Sequence, residues 1–244
     1  MNILYFDCFS GISGDMTVGA LVDAGADPES IEKALKSLRF SSEYRLHWEK
    51  VVKKGITATK FIVESEKEPH GHRHLDTIIK MIDQAELTDF VKTTALRIFK
   101  IIGKAEAGIH GIPLKKVHFH EVGAVDSIID VVATALAIEQ LNPERIVSSA
   151  VAVGNGTIHI DHGIYPVPAP ATIDILKGIP LKSSDIQGEM TTPTGAGIIA
   201  ALAQSIGPIP DMQVERIGYG AGTKDWPNQP NVLRVMTGVA PHAG

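Results

Sequence analysis

The order of its segments predicts an α/β or mixed α+β fold, with strands and helices alternating around one central sheet. Three observations carry that expectation. Ile3 to Phe6 is a continuous apolar run of strand length ending at Asp7, the text of a strand buried on both faces. Tyr44, Leu46 and Trp48, then Thr57, Thr59, Phe61 and Val63, alternate with polar residues on either side of Lys54-Gly55, as the two strands of a hairpin do. Val125 to Leu141 is small and branched apolar residues nearly all round, too long for a strand, and so a buried helix. No repeat or linker divides the 244 residues, so one domain over 1–244 is expected.

After the first strand, Cys8-Phe9-Ser10-Gly11-Ile12-Ser13-Gly14-Asp15 leads into a helix over Met16 to Ala24. Strand, Ser/Gly loop and helix start together form an anion cradle, because small residues let backbone N–H groups point at a phosphate near the positive helix end. Ser10, Gly11, Ser13 and Gly14 are its candidate binding residues, although the Gly-Lys-Ser/Thr ending of a P-loop is missing. Asp7 and Asp15 are candidate holders of a divalent ion at its mouth; the alternative is that Asp15 caps the helix. Asp27-Pro28 opens a helix to Leu38, and the hairpin that follows is expected to be structural.

Between Glu64 and Leu75 the chain turns polar and is broken by Pro69 and Gly71, which reads as a surface loop. His70, His72 and His74 stand there at alternate positions, and imidazole suits nickel, zinc and copper. A solvated loop with incidental metal affinity is the alternative. Leu75 to Ala85 and Thr88 to Ala107 have helical spacing; Gly108 and Gly111-Ile112-Pro113 are expected to end the section, with His110 in the loop.

The densest chemistry lies in Val117 to Asp130. Alternation from Val117 to Glu121 predicts a strand with His118 and His120 on one face, and Asp126 and Asp130 fall one turn apart on the buried helix. Carboxylates among Val125, Ile128, Ile129 and Val132 are unfavourable unless cations, hydrogen bonds or a metal offset them. His118, His120 and Glu121 are therefore candidate metal ligands. The bland reading makes Asp126 an N-cap, Asp130 a water-facing residue and the histidines core residues.

Strand-like text from Ile146 to Val153 precedes a Gly154-Asn155-Gly156 turn, and Thr157, His159 and Asp161 then share a face, with His162 at the bend, as a third polar group or as a surface hairpin. Pro170 starts a helix through Lys177. Thr191, Thr192, Thr194 and Gly195 precede a small apolar helix and make a second anion-ready start, with Glu189 placed to position a hydroxyl or a metal-bound water; plain capping and close packing is the alternative. Gly218 to Asp225 reads as a glycine-rich loop with Lys224 as a cation for phosphate, and Asn231 to Val235 as a closing strand.

A formal charge of −5 without a basic block, and aromatics at 5%, argue against a nucleic-acid surface. The single cysteine, Cys8, excludes an internal disulfide. No apolar run approaches the ~20 residues that span a bilayer, and the N-terminal residues lack a signal-peptide pattern. A cytoplasmic protein is expected.

Four ordered blocks resemble one family: Tyr5 to Met16, His118 to Ile128, Thr191 to Ala196 and Gly218 to Gly222. This pattern is similar to the LarC family of nickel insertion proteins, and the likeness runs from residue 1 to about Val239. The resemblance implies insertion of Ni(II) into pyridinium-3,5-bisthiocarboxylic acid mononucleotide, with nickel–carbon and nickel–sulfur bonds formed and CTP consumed, to give the nickel-pincer cofactor of lactate racemase. CTP and a divalent ion would belong to a C-terminal domain that follows in family members, making that polypeptide a partner; a homo-oligomer is also compatible. Under this reading His70, His72 and His74 collect nickel for His118, His120 and Glu121, the two Ser/Thr/Gly starts receive the phosphate, and Glu121 or Asp126 is the base that takes the displaced ring proton. Two readings compete: a phosphate-ester hydrolase with a divalent ion on Asp7, Asp15, His118 and Asp126, and a nickel carrier without catalysis of its own.

Overall fold

The structure, a computed structural model, describes residues 1–38, 40–65, 73–117, 125–160 and 163–241. It opens with strand β1 (Asn2–Asp7), helix α1 (Gly14–Asp23) and helix α2 (Pro28–Leu35). The hairpin β2 (Tyr44–Lys53) and β3 (Ile56–Ser65) is followed by α3 (Leu75–Gln84), α4 (Asp89–His110), α5 (Val125–Leu141) and β4 (Arg145–Ser148). Short elements come next: β5 (Val151–Ala152), β6 (Gly154–Asn155), β7 (Thr157–Ile160), β8 (Gly163–Pro166), α6 (Pro170–Ile175), β9 (Leu181–Lys182) and β10 (Gly188–Glu189). Helix α7 (Pro193–Leu202), β11 (Ser205–Ile206), β12 (Gln213–Ala221) and β13 (Val232–Val239) close the chain.

One mixed sheet organises the molecule, in the order β11-β4-β1-β13-β12-β3-β2. The apolar run of β1 lies inside it, parallel to β4 and antiparallel to β13. The two-residue period of a strand divides its side chains: Leu4 and Phe6 enter the main core, while Ile3 and Tyr5 join Val147 and Met236 in a smaller cluster on the opposite face. The expected mixed fold around one central sheet is therefore what forms, and the hairpin pairs in register from Tyr44↔Ser65 to Lys53↔Ile56.

Helix α1 lies against β12 and β3, α5 packs on α1, and α4 packs on α5 and α7. The approach of α1 to the sheet requires missing side chains. A Cβ on Gly220 would stand 1.8 Å from the Met16 carbonyl oxygen, one on Gly218 2.1 Å from that of Ala20, and one on Gly19 2.4 Å from that of Thr59. Gly218 to Ala221 is thus a strand under a helix and not the loop its composition predicts; glycine serves close approach here as readily as it serves turns.

Other expectations shift by local causes. Gly108 is interior to α4, which continues to His110, paired with Glu106 at 3.4 Å; the helix stops at Gly111, in the left-handed region at φ +62°. The run from Ile146 to Val153 divides at Ser149, whose hydroxyl accepts the Cys8 N–H at 2.9 Å, so β4 stays in the main sheet and β5 pairs with β9. Helix α6 ends two residues before Lys177. Thr157 to Ile160 forms the surface-type hairpin with β8, exposed at Ile164, while Asp161 and His162 lie outside the described residues. Among those residues no helix is long and apolar enough to cross a membrane.

Candidate functional site

Three helix starts meet at one cavity of about 490 Å³, within the range of small-ligand sites. The starts of α1 and α7 are tied by backbone: Ile12 N–H donates to the Met190 carbonyl at 3.1 Å, and Thr192 N–H donates to that of Ile12, also at 3.1 Å. Gly195 allows this approach, since a Cβ there would lie 2.1 Å from the Ile12 oxygen. Helix α5 brings Asp126, Ser127 and Asp130 to the same space, and β3 brings Lys60 to Val63. The hairpin expected to be purely structural therefore supplies a wall of the site.

Of the proposed phosphate-cradle residues, Ser13, Gly14, Thr192 and Thr194 line the cavity. Ser10, Gly11, Thr191 and Gly195 stand behind it and build it. Ser10 is fully buried and accepts from Gln229 Nε2 at 2.9 Å. Gly11, at φ +85°, passes so close to Met190 that a Cβ would be 2.0 Å from its carbonyl oxygen. Thr191 donates to the Ala152 carbonyl at 2.6 Å and accepts from Ile12 N–H at 3.2 Å. Thr192 caps α7 by accepting Gly195 N–H at 3.2 Å, which leaves its hydroxyl hydrogen to donate to a ligand. The capping and packing alternative thus describes Thr191 and Gly195, while Thr192 caps α7 and also lines the cavity.

The carboxylates differ in surroundings. Asp15 Oδ1 accepts the Ser13 hydroxyl, yet burial raises its pKa, the Ser13 and backbone hydrogen bonds opposing the rise. Asp126 is exposed by area and its Oδ1 accepts Ser127 N–H at 2.8 Å; it lies in the first turn of α5, which begins at Val125, and is not the N-cap of its bland reading, and desolvation by the protein around the carboxyl raises its pKa. Asp130 is 9% exposed, and its Oδ1 has no hydrogen-bond partner among the described residues. Burial first, then the nearby charges of Asp15 and Asp126, raise its pKa well above the ordinary value. Gly14 makes room for it, because a Cβ there would lie 2.4 Å from Asp130 Oδ2. Asp130 is thus buried at the cavity and does not face open water as its bland reading had it.

Among the described lining residues Lys60 is the cation facing Asp15, Asp126, Asp130 and Glu189. An adjoining space of about 190 Å³ shares Ser13, Asp15, Glu189, Thr192 and Thr223 and adds Lys224, which is exposed and carries Nζ 3.5 Å from the Glu189 carbonyl. Nothing in the alternation of β3 distinguishes Lys60 from a solvated lysine, so sequence reasoning missed it. Asp7 belongs elsewhere: it is bound by Arg234, at 2.9 Å from Nε and 2.5 Å from Nη2, and is not a lining residue, so it does not join Asp15 at the cavity as the expected divalent-ion pair of carboxylates requires.

His70, His72, His118, His120 and Glu121 lie outside the described residues. His74 is described: it is exposed, precedes α3 as its N-cap and does not line the cavity. Among the described residues no group of three His, Cys, Asp or Glu side chains is placed to hold a metal ion.

Fold and cavity define a mixed α/β protein with a cavity built on helix N-termini. Comparison with known proteins gives the family: residues 4–243 match the model of the nickel insertion protein family, and the chain belongs to that family. It is 57% identical, over 98% of its length, to the pyridinium-3,5-bisthiocarboxylic acid mononucleotide nickel insertion protein of Geobacillus kaustophilus, and 52% identical, over 96% of its length, to the protein of that name from Staphylococcus epidermidis strain RP62A. It spans 60% and 58% of those two relatives. No solved structure matches it.

Proposed function

We propose that this chain binds pyridinium-3,5-bisthiocarboxylic acid mononucleotide in the cavity between α1, α5, α7 and β3 and takes part in inserting Ni(II) into it, as a nickel insertase of the lyase class in nickel-pincer cofactor biosynthesis. The observation that supports this best is the charge pattern around the cavity. A pyridinium ring is a permanent cation and nickel a dication, and both are favoured beside Asp15, Asp126, Asp130 and Glu189. A phosphate is favoured by the starts of α1 and α7, by the Thr192 hydroxyl and by Lys60 or Lys224 at the sides. One ligand with a cationic ring and an anionic tail satisfies both.

In this reading nickel is cargo. His118, His120 and Glu121 hold it before transfer, and His70, His72 and His74 gather it, since imidazole and carboxylate bind nickel and still exchange it. Nickel replaces a ring proton, so the reaction requires a base. The reading assigns CTP and its divalent ion to a C-terminal domain in the longer relatives, and the chain to the N-terminal part, working in the cytoplasm. A phosphate-ester hydrolase on Asp7, Asp15, His118 and Asp126 loses support from the engagement of Asp7 with Arg234.

The test is reconstitution. This chain, alone and with the separately produced remainder of a longer relative, is incubated with the mononucleotide and Ni(II), and the nickel-containing product is followed by mass spectrometry. Product in either mixture, lost on His118→Ala/His120→Ala together with stoichiometric nickel binding, supports the reading. No product in both, or nickel binding unchanged in the double variant, rejects respectively the insertion role or the ligand assignment.

A further inference from the structure

We infer that Asp130 is the base of this cavity: as nickel bonds to the ring carbon between the two thiocarboxylates, the C–H bond breaks, its electron pair goes to nickel, which remains Ni(II), and the proton passes to the Asp130 carboxylate. The inference rests on the proposed function and moves the base from Asp126 or Glu121 to Asp130.

Geometry separates the two described aspartates. Asp126 is exposed and already receives the Ser127 N–H, so one of its oxygens is engaged by the backbone. Asp130, one turn further along α5, is nine-tenths buried, lines the cavity and has a buried oxygen without a partner among the described residues. A buried acceptor left unpaired is unfavourable in the free protein, and it is relieved when a proton or a donor arrives. Its position is fixed from behind by the Cα of Gly14, against which the carboxyl is wedged.

The charged groups around Asp130 favour proton capture. Asp15 on α1, Asp126 on α5 itself and Glu189 on β10 share the cavity with it, opposed by Lys60 on β3. The buried residues of α2, α4 and α7 carry no charge. Burial and the two neighbouring aspartates raise its proton affinity, and a carboxylate that binds a proton nearer neutral pH is the stronger acceptor. Binding the cationic ring and nickel would draw that proton off beforehand, leaving the anion ready at the moment of reaction.

The experiment uses the reconstituted system that forms product, with substrate carrying hydrogen or deuterium at the ring carbon. For Asp130→Asn the expected result is a fall in insertion rate of roughly 10²–10⁴-fold that persists at saturating nickel and mononucleotide, with the rising limb of the pH–rate profile lost. Asp126→Asn should keep that limb. Gly14→Ala, which displaces the carboxyl without removing it, should slow insertion as well. A wild-type deuterium effect measured against pH keeps the inference open to refutation should a variant misfold, because a rate that shows no ionisation between pH 4 and 9 overturns it. An Asp130→Asn rate within threefold of wild type overturns it while leaving the proposed function intact, and loss of nickel binding in that variant makes Asp130 a ligand instead. If the wild type binds no mononucleotide, the proposed function fails and this inference with it.

Discussion

At the residue scale, Asp130, whose buried Oδ1 has no hydrogen-bond partner among the described residues, gives its own contribution to the pH dependence of stability a definite sign. Asp130 holds its proton more tightly folded than unfolded, where the ordinary value near 3.8 applies. Between that value and the raised folded one the native state binds more protons, so stability falls as pH rises through the window. Asp15 and Asp126 are raised by the same cause and act in the same direction. Thermal unfolding of the ligand-free chain should therefore shift to lower temperature from pH 5 to pH 8, and Asp130→Asn should flatten that dependence; an unchanged slope in the variant would assign the effect elsewhere. Cys8 gives a second residue-scale outcome. Fully buried, with its pKa pushed up to about 12 by desolvation, it offers neither access nor thiolate. Iodoacetamide at pH 8 should leave it unmodified in the folded protein and modify it in urea, and rapid labelling of the folded form would contradict its placement.

At the scale of elements, the site depends on how closely α1 can lie on β12. Gly220→Ala puts a methyl group 1.8 Å from the Met16 carbonyl, with backbone on both sides, so the helix must move. Overpacking of this kind costs on the order of 1–3 kcal/mol, to be read as a lower urea midpoint, and any movement of α1 carries Ser13 and Asp15 with it; an unchanged midpoint would show the contact to be yielding. The same contact marks how far the elements can be read from the chain. β1, the hairpin and α5 follow from periodicity, because burial on one face or all faces is written directly into which residues are apolar. Gly218 and Gly220 mislead, since a strand that must admit a helix and a loop that must turn call for the same residue. In the site, Ser13, Gly14, Thr192 and Thr194 are legible as small residues at helix starts, and Asp126 and Asp130 as carboxylates one turn apart among apolar neighbours. Lys60 is not, because a lysine flanked by Thr59 and Phe61 has the same alternation whether it meets water or a cavity.

For the whole molecule, the chain's distant segments matter through charge. Residues 13–15, 60–63, 126–130 and 189–194 surround one space in which acids outnumber the single described cation. Such a space selects for ligands that bring positive charge inward and keep negative charge at the side, which is the physical content of the functional proposal. Its direct measurement is calorimetric binding of the nickel-free mononucleotide to wild type, Lys60→Glu, Lys224→Glu and, as a control outside the cavity, Lys177→Glu, whose lysine pairs with Asp174 on the surface. A charged hydrogen bond lost at Lys60 or Lys224 corresponds to about 1.5–3 kcal/mol, or roughly 10–100-fold in affinity. The account predicts a loss of that size for Lys60→Glu or for Lys224→Glu and none for Lys177→Glu, whereas saturable binding unaffected by both Lys60→Glu and Lys224→Glu would contradict it.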